Sequence, residues 1–232
     1  MWWIVIPIVL IVIGLIVGFA VLIVYTYNRG DYGDGGGNTI GGNNNVSFFA
    51  PKNERAGVWG ENFANYHLRP LLRNDEYLMG NLLFTFKDGR FSEIDCVLVS
   101  RKGIFCIETK RWVGHITGND TDEQWLQVYD DPRMDDRYHS NPVKQNSRHC
   151  MLLKKFLHNR YYIHNIVIFV GLEDGEGIES NNAFTISKFK DYYRKLESNV
   201  LGLNQIKSAY ETLLPHVASK ENLKKYRSKS NV

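Results

Sequence analysis

Residues 91–110 read FSEIDCVLVSRKGIFCIETK: two strand-like runs, Phe91–Ser100 and Ile104–Lys110, around a Lys102-Gly103 turn. Apolar alternation on both sides of such a turn predicts an antiparallel hairpin. In the second run, Cys106, Glu108 and Lys110 fall on one face and Phe105, Ile107 and Thr109 on the other. The odd positions are apolar apart from Thr109 and suit a core, so Glu108 and Lys110 are expected to leave the core side by side. Parity decides whether Asp95 joins them. A two-residue Lys102-Gly103 loop sets Asp95 opposite Lys110, and Val97 opposite Glu108, all on one face. A three-residue loop sends Asp95 to the other face, unless a bulge at Gly103 restores it.

In the permitted register two carboxylates and an ammonium converge. Neighbouring carboxylates repel unless a cation separates them, and oxygen ligands suit Mg²⁺ or Mn²⁺. Such an ion activates water and neutralises charge on a phosphodiester, while a lysine orients the water or stabilises developing negative charge. For a lone Glu-x-Lys, a surface ion pair is the ordinary reading. An aspartate across a turn and a glutamate on a neighbouring helix move the balance towards a site.

That glutamate is Glu61. Glu54 to Leu72 is predicted as a helix ended or kinked by Pro70, with Val58, Glu61, Ala64 and Leu68 on one face. A carboxylate among core positions needs a partner. Strand Asn81–Phe86 precedes the hairpin through Asp88-Gly89, giving an antiparallel meander that short pieces at His115–Thr117 and Trp125–Tyr129 extend. Asn141–His158 is predicted as a helix with Pro142 in its first turn, and Ile163–Val170 as a buried strand. Lys188–Leu196 and Asn204–Leu214 are predicted helices. Strands between helices make an α/β domain without internal repeats.

The 232 residues carry 28 Lys/Arg and 25 Asp/Glu, and none of these falls in residues 1–27. Trp2–Tyr27 is long enough to span a bilayer as a helix, with Trp2, Trp3, Tyr25 and Tyr27 at the interfacial positions. A cleaved signal peptide is the competing reading, but it lacks a basic start and a small-residue cleavage site. Residues 28–45 hold seven Gly and five Asn, a flexible tether with a reach of roughly 25 Å. Arg29 after the span and three cysteines without a CxxC lean towards a cytoplasmic domain in a reducing compartment. A second span, a zinc site of the usual spacing and a phosphate-cradling GxxxxGK[ST] have no counterpart in the sequence. Net charge is +3 overall, yet residues 183–232 hold 10 Lys/Arg against 4 Asp/Glu. That end is a modest candidate for polyanion contact, with a solvated helical face as the ordinary reading.

The order of helix glutamate, strand aspartate and Glu-x-Lys resembles the PD-(D/E)xK nuclease superfamily. More narrowly, residues 54–158 resemble the nuclease-related domain family. The matching pieces are Gly57-Val58-Trp59-Gly60-Glu61, Glu93-Ile94-Asp95, and Gly103 through Lys110. Trp112, Gly114 and Trp125 follow, and Asn141-Pro142-Val143-Lys144-Gln145 opens the later helix. The proline that precedes the aspartate in the superfamily motif is Ile94 here. The resemblance implies a restriction-endonuclease-like mixed sheet flanked by helices, and the apolar run adds one transmembrane helix before it. It implies a Mg²⁺ (or Mn²⁺) site at Asp95 and Glu108 with Glu61 assisting, a catalytic Lys110 and an accessory Gln145. The expected organisation is an anchor over 1–27, a tether over 28–53, the nuclease-related core over 54–160, and a strand and helices completing the domain over 161–232. The expected activity is hydrolysis of nucleic-acid phosphodiesters, with DNA as substrate. The alternative is a non-catalytic module of the same fold that binds nucleic acid or protein at the membrane.

Other residues have plainer readings. Trp112 beside Lys110-Arg111 can stack on a base, though packing is the ordinary role. Gln145 shares a helical stripe with His149 and Leu152, and Arg148, Lys154, Lys155 and Arg160 can steer a phosphate backbone. His115, His139 and His164 show no catalytic spacing, and no covalent nucleophile stands out.

Overall fold

Nine strands arrange as two mixed sheets in the computed structural model, which describes residues 64–172 and 175–229. The expected anchor Trp2–Tyr27, the tether and Glu61 lie outside the described residues, and among those described no helix is long and apolar enough to cross a membrane. The first strands are β1 (Tyr77–Thr85), β2 (Phe91–Ser100), β3 (Gly103–Lys110), β4 (His115–Asn119), β5 (Gln124–Val128) and β6 (Arg137–Ser140). Helix α1 (Pro142–Phe156) leads to β7 (Ile163–Phe169), β8 (Ile178–Glu179) and β9 (Ala183–Thr185). Helices α2 (Ile186–Lys195), α3 (Leu203–Leu213) and α4 (Lys220–Lys229) complete the chain.

The larger sheet has the order β1-β2-β3-β7-β9, antiparallel through β3 and parallel beyond it. The hairpin turn is Arg101-Lys102 rather than Lys102-Gly103, because Ser100 pairs with Gly103. Gly103 adopts φ +132, and a Cβ there would meet His164 Nε2 at 2.9 Å, so the strand can begin this way only with glycine. The pairing therefore slides by two residues from the expected register.

A second correction concerns exposure. The two faces of β3 were expected to divide into core and surface, yet Ile104 through Ile107 are all fully buried. One face (Ile104, Cys106) packs under α1 and α3, against Leu153, Leu157, Ile206 and Leu213. The other (Phe105, Ile107) packs against Phe189 and Tyr193 of α2 and against Leu68. The reason is the parallel β3–β7 pair: its α1 crossover covers one face and the helix after β9 covers the other, as parallel strands require.

The segment predicted as a helix up to Leu72 shows, in its described part, a π-helical turn at Ala64–Leu68 and a 3₁₀ turn at Arg69–Leu71 containing Pro70. The pieces expected to extend the meander form a separate sheet instead, ordered β6-β5-β4-β8. The chain leaves the first sheet through Gly114, at φ +80, where a Cβ would sit 2.1 Å from the Val128 carbonyl oxygen. Trp125, fully buried, lies flat on Gly118, and its ring packs with Phe169 and Val143 where the second sheet meets β7 and α1.

Candidate active site

The site is built where the pairing of β2 lapses on both of its sides. Towards β3, the register ends at Cys96↔Ile107; one step further sets Asp95 opposite Glu108 rather than opposite Lys110. Towards β1, the register runs to Gly80↔Cys96, skips one pair and resumes at Leu82↔Ile94. The skipped residues are Asn81, at φ +53, and Asp95. The two-residue alternation slips there. Met79 and Val97 share a core cluster with Leu82 and Ile94, although their parities differ. Asp95 is consequently not presented on a face as expected. Its carboxylate occupies the gap between β2 and β3, where Oδ2 accepts hydrogen bonds from Thr109 N and Thr109 Oγ1, both at 3.0 Å.

Glu108 is 6 % exposed. Its Oε1 accepts from Lys110 Nζ at 2.6 Å and from Gln145 Nε2 at 3.4 Å, and Lys110 Nζ also donates to Gln145 Oε1 at 3.0 Å. The structure thus brings together Asp95, Glu108, Lys110 and Gln145, four of the five residues singled out from sequence; Glu61, the fifth, is outside the described residues.

Two asparagines hold α1 over this cluster. Asn141 caps the helix, its Oδ1 accepting from Val143 N and Lys144 N, while its Nδ2 donates to the carbonyls of Asn119, Asp120 and Asp122. Asn146, fully buried, donates through Nδ2 to the carbonyls of Cys106 on β3 and Ile166 on β7 and to Asn165 Oδ1. Its position, next to Gln145, fixes the helix above Glu108. The cap follows local pattern, but the long-range bonds of both asparagines are not visible in sequence, because their partners lie far along the chain.

The electrostatics point to missing positive charge. Burial, and then the facing Glu108 carboxylate, push the Asp95 carboxyl up to about 6, against the opposing effects of Thr109 and Lys110. Among the described residues, Asp95 Oδ1 and Glu108 Oε2 accept no hydrogen bond. Two neighbouring carboxylates, each with an uncommitted oxygen and with the Lys110 ammonium bonded to Glu108 Oε1, suit a hard divalent cation. The described residues supply two ligands of such a set; no three His, Cys, Asp or Glu among them form a metal cluster.

The flanks are structural. Trp112 stacks on His139 at 4.2 Å and against Phe169 at 5.3 Å, so its ring is committed to packing. His139 is held by Gln127 Oε1 at 2.8 Å, and Gln127 Nε2 in turn donates to the Val113 carbonyl at 2.7 Å. Arg148, Lys154, Lys155 and Arg160 are exposed.

One residue outside the expected set enters the site. His149, half-buried on α1 one turn after Gln145, has Nδ1 at 3.6 Å from Glu108 Oε2. Burial holds its pKa below the ordinary histidine value. Its i+4 spacing from Gln145 was the signal available in sequence.

No curated protein and no solved structure matches this chain. Residues 56–170 match the family model of the nuclease-related domain, a stretch that begins before Glu61 and closes just after β7. Over residues 56–170, the chain belongs to the nuclease-related domain family.

Proposed function

We propose that this chain is a membrane-tethered, divalent-metal-dependent nuclease that hydrolyses nucleic-acid phosphodiesters, with DNA as substrate. The observation that carries the reading is the approach of the Asp95 and Glu108 carboxylates where β2 and β3 part, with Lys110 bonded to Glu108. Family membership supports a nuclease-related role. The anchor rests on the charge-free Trp2–Tyr27 run, and Arg29 after it together with the cysteines that form no CxxC favours a cytoplasmic side for the domain.

Asp95 Oδ1, Glu108 Oε2 and Glu61 would hold Mg²⁺ or Mn²⁺. Bound there, the ion supplies Lewis-acid neutralisation of phosphodiester charge and lowers the pKa of water. Thr109 fixes Asp95 through Oδ2 and so leaves Oδ1 directed away from the backbone. Gln145 accepts from Lys110 and donates to Glu108, which holds the ammonium close to the carboxylate. From that position Lys110 orients an attacking water and stabilises charge on the phosphoryl oxygens.

The test is cleavage of plasmid, single-stranded DNA and RNA by the full-length protein in detergent, with Mg²⁺, with Mn²⁺ and with chelator. Metal-dependent cleavage that falls about a hundredfold or more in Lys110→Ala is expected. Equal cleavage by wild type, Asp95→Ala and Lys110→Ala identifies a contaminant. Metal binding without cleavage of any substrate favours a binding module.

A further inference from the structure

At the Glu108 cluster, one buried polar side-chain atom has no role so far. His149 Nδ1 is sealed from solvent and, among the described residues, makes no hydrogen bond. A buried donor left without a partner is costly, so such an atom needs an acceptor within reach. The acceptor at hand is Glu108 Oε2, at 3.6 Å, which itself accepts no hydrogen bond among the described residues. A shift of roughly 0.5 Å brings the pair into hydrogen-bond range, and polar contacts in ligand-free sites are commonly long before the site is loaded.

The geometry points to His149 as a positioning residue: its Nδ1–H and the Gln145 amide, one helical turn apart on α1, form a two-armed clamp that orients the Glu108 carboxylate for a divalent cation. Gln145 addresses Oε1 and His149 addresses Oε2. Residues four apart share a helix face, so both arms reach the same carboxylate. Asn146, between them in sequence, ties α1 to β3 and β7, so the clamp's distance from Glu108 is set by three hydrogen bonds rather than by the surface of the helix. Lys110 supplies charge on the Oε1 side alone. On the Oε2 side, a neutral donor fixes the carboxylate's rotation and leaves its negative charge available to an ion. Donors that hold ligating carboxylates typically change metal affinity 10–100-fold when removed.

This inference rests on the metal-dependent reading of the same site, and the two fail separately. Mn²⁺ is titrated calorimetrically into the full-length protein in detergent, without nucleic acid, for wild type, His149→Phe and His149→Asn. Phe keeps a ring and removes the donor; the Asn amide can take the place of Nδ1–H. The expected result is roughly 10–100-fold weaker Mn²⁺ binding in His149→Phe, with most of that loss restored in His149→Asn. Wild-type affinity in a folded His149→Phe overturns the clamp while leaving the metal site standing. Equal weakening in both folded variants overturns it as well, since it shows loss of packing rather than of a donor. Wild-type protein that binds no Mn²⁺ overturns both. Melting temperatures report folding throughout, and His149→Leu carries the donor-free arm should Phe not fit.

Discussion

The β2–β3 hairpin holds a buried carboxylate at each end, and the two are treated oppositely. At the closed end, Glu76 is 4 % exposed; Oε1 accepts from Arg101 N at 2.7 Å and Oε2 from Arg73 N at 2.9 Å. Both oxygens are committed to backbone, and the guanidinium of Arg101 pairs with Asp75. At the open end, Glu108 is buried nearly as deeply, but it faces a second carboxylate and keeps one oxygen uncommitted. Burial alone does not separate the two. What distinguishes a candidate site from a structural carboxylate is the partner set: backbone N–H groups that engage both oxygens, or a like charge beside an oxygen that no donor engages.

The sharpest test of the contrast is a pair of neutralisations. Asp95→Asn should lower cleavage a hundred- to a thousandfold, yet raise thermal stability at pH 7 by on the order of 1–3 kcal/mol, because it relieves the repulsion from Glu108. Glu76→Ala should do the reverse: stability falls by about 1–3 kcal/mol as two partly buried backbone N–H groups lose their acceptor, while Mn²⁺ affinity stays near wild type. Differential scanning calorimetry alongside Mn²⁺ titration reads both variants. A destabilised Asp95→Asn would remove the basis for treating the open end as strained.

A smaller effect should appear in pH. The folded-state pKa of Asp95 is raised from 3.8 to about 6, so between those values the folded chain binds the proton more readily than the unfolded one. In chelator, this residue's contribution to stability should fall as pH rises from about 4 to about 6, by no more than about 3 kcal/mol. That component of the melting-temperature profile should be missing from Asp95→Asn. An unchanged profile would show that Asp95 titrates as an ordinary carboxylate.

The smallest expected effect concerns Asn81, whose left-handed conformation marks the slip in β1 opposite Asp95. Asn81→Gly should keep the left-handed backbone, since glycine accepts that φ, so any change in stability or Mn²⁺ binding there reads the side chain alone. Asn81→Val should destabilise by about 1–2 kcal/mol and weaken Mn²⁺ binding together, as β1 pulls Asp95 back towards regular pairing. Val matching Gly in both measurements would uncouple the slip from the site.

Much of this was legible in local pattern. Phe91–Ser100 is recovered to the residue, and the turn chemistry of Asp88-Gly89 leads into β2 as expected. Pro142 opens α1 behind its Asn141 cap. Glu108 and Lys110 are neighbours because alternation makes them so. The short strands β6, β8 and β9 were not legible, since two to four residues carry too little periodicity to register. Helix α4 was hidden by its charge, with little apolar stripe to read.

By itself, the sequence determined that a charge-free run precedes a Gly/Asn-rich stretch, that the rest is α/β, and that Asp95, Glu108 and Lys110 lie close across one turn. Those are consequences of periodicity, composition and chain connectivity, which act over a few residues. Only the tertiary structure decided that β3 is buried on both faces and that Asp95 sits in a gap between strands instead of on a face. It also decided that His149 joins Gln145 above Glu108. Each depends on pairing between segments dozens of residues apart, the parallel β3–β7 register and the Asn146 tie among them, and no local pattern encodes which distant backbone group will be met.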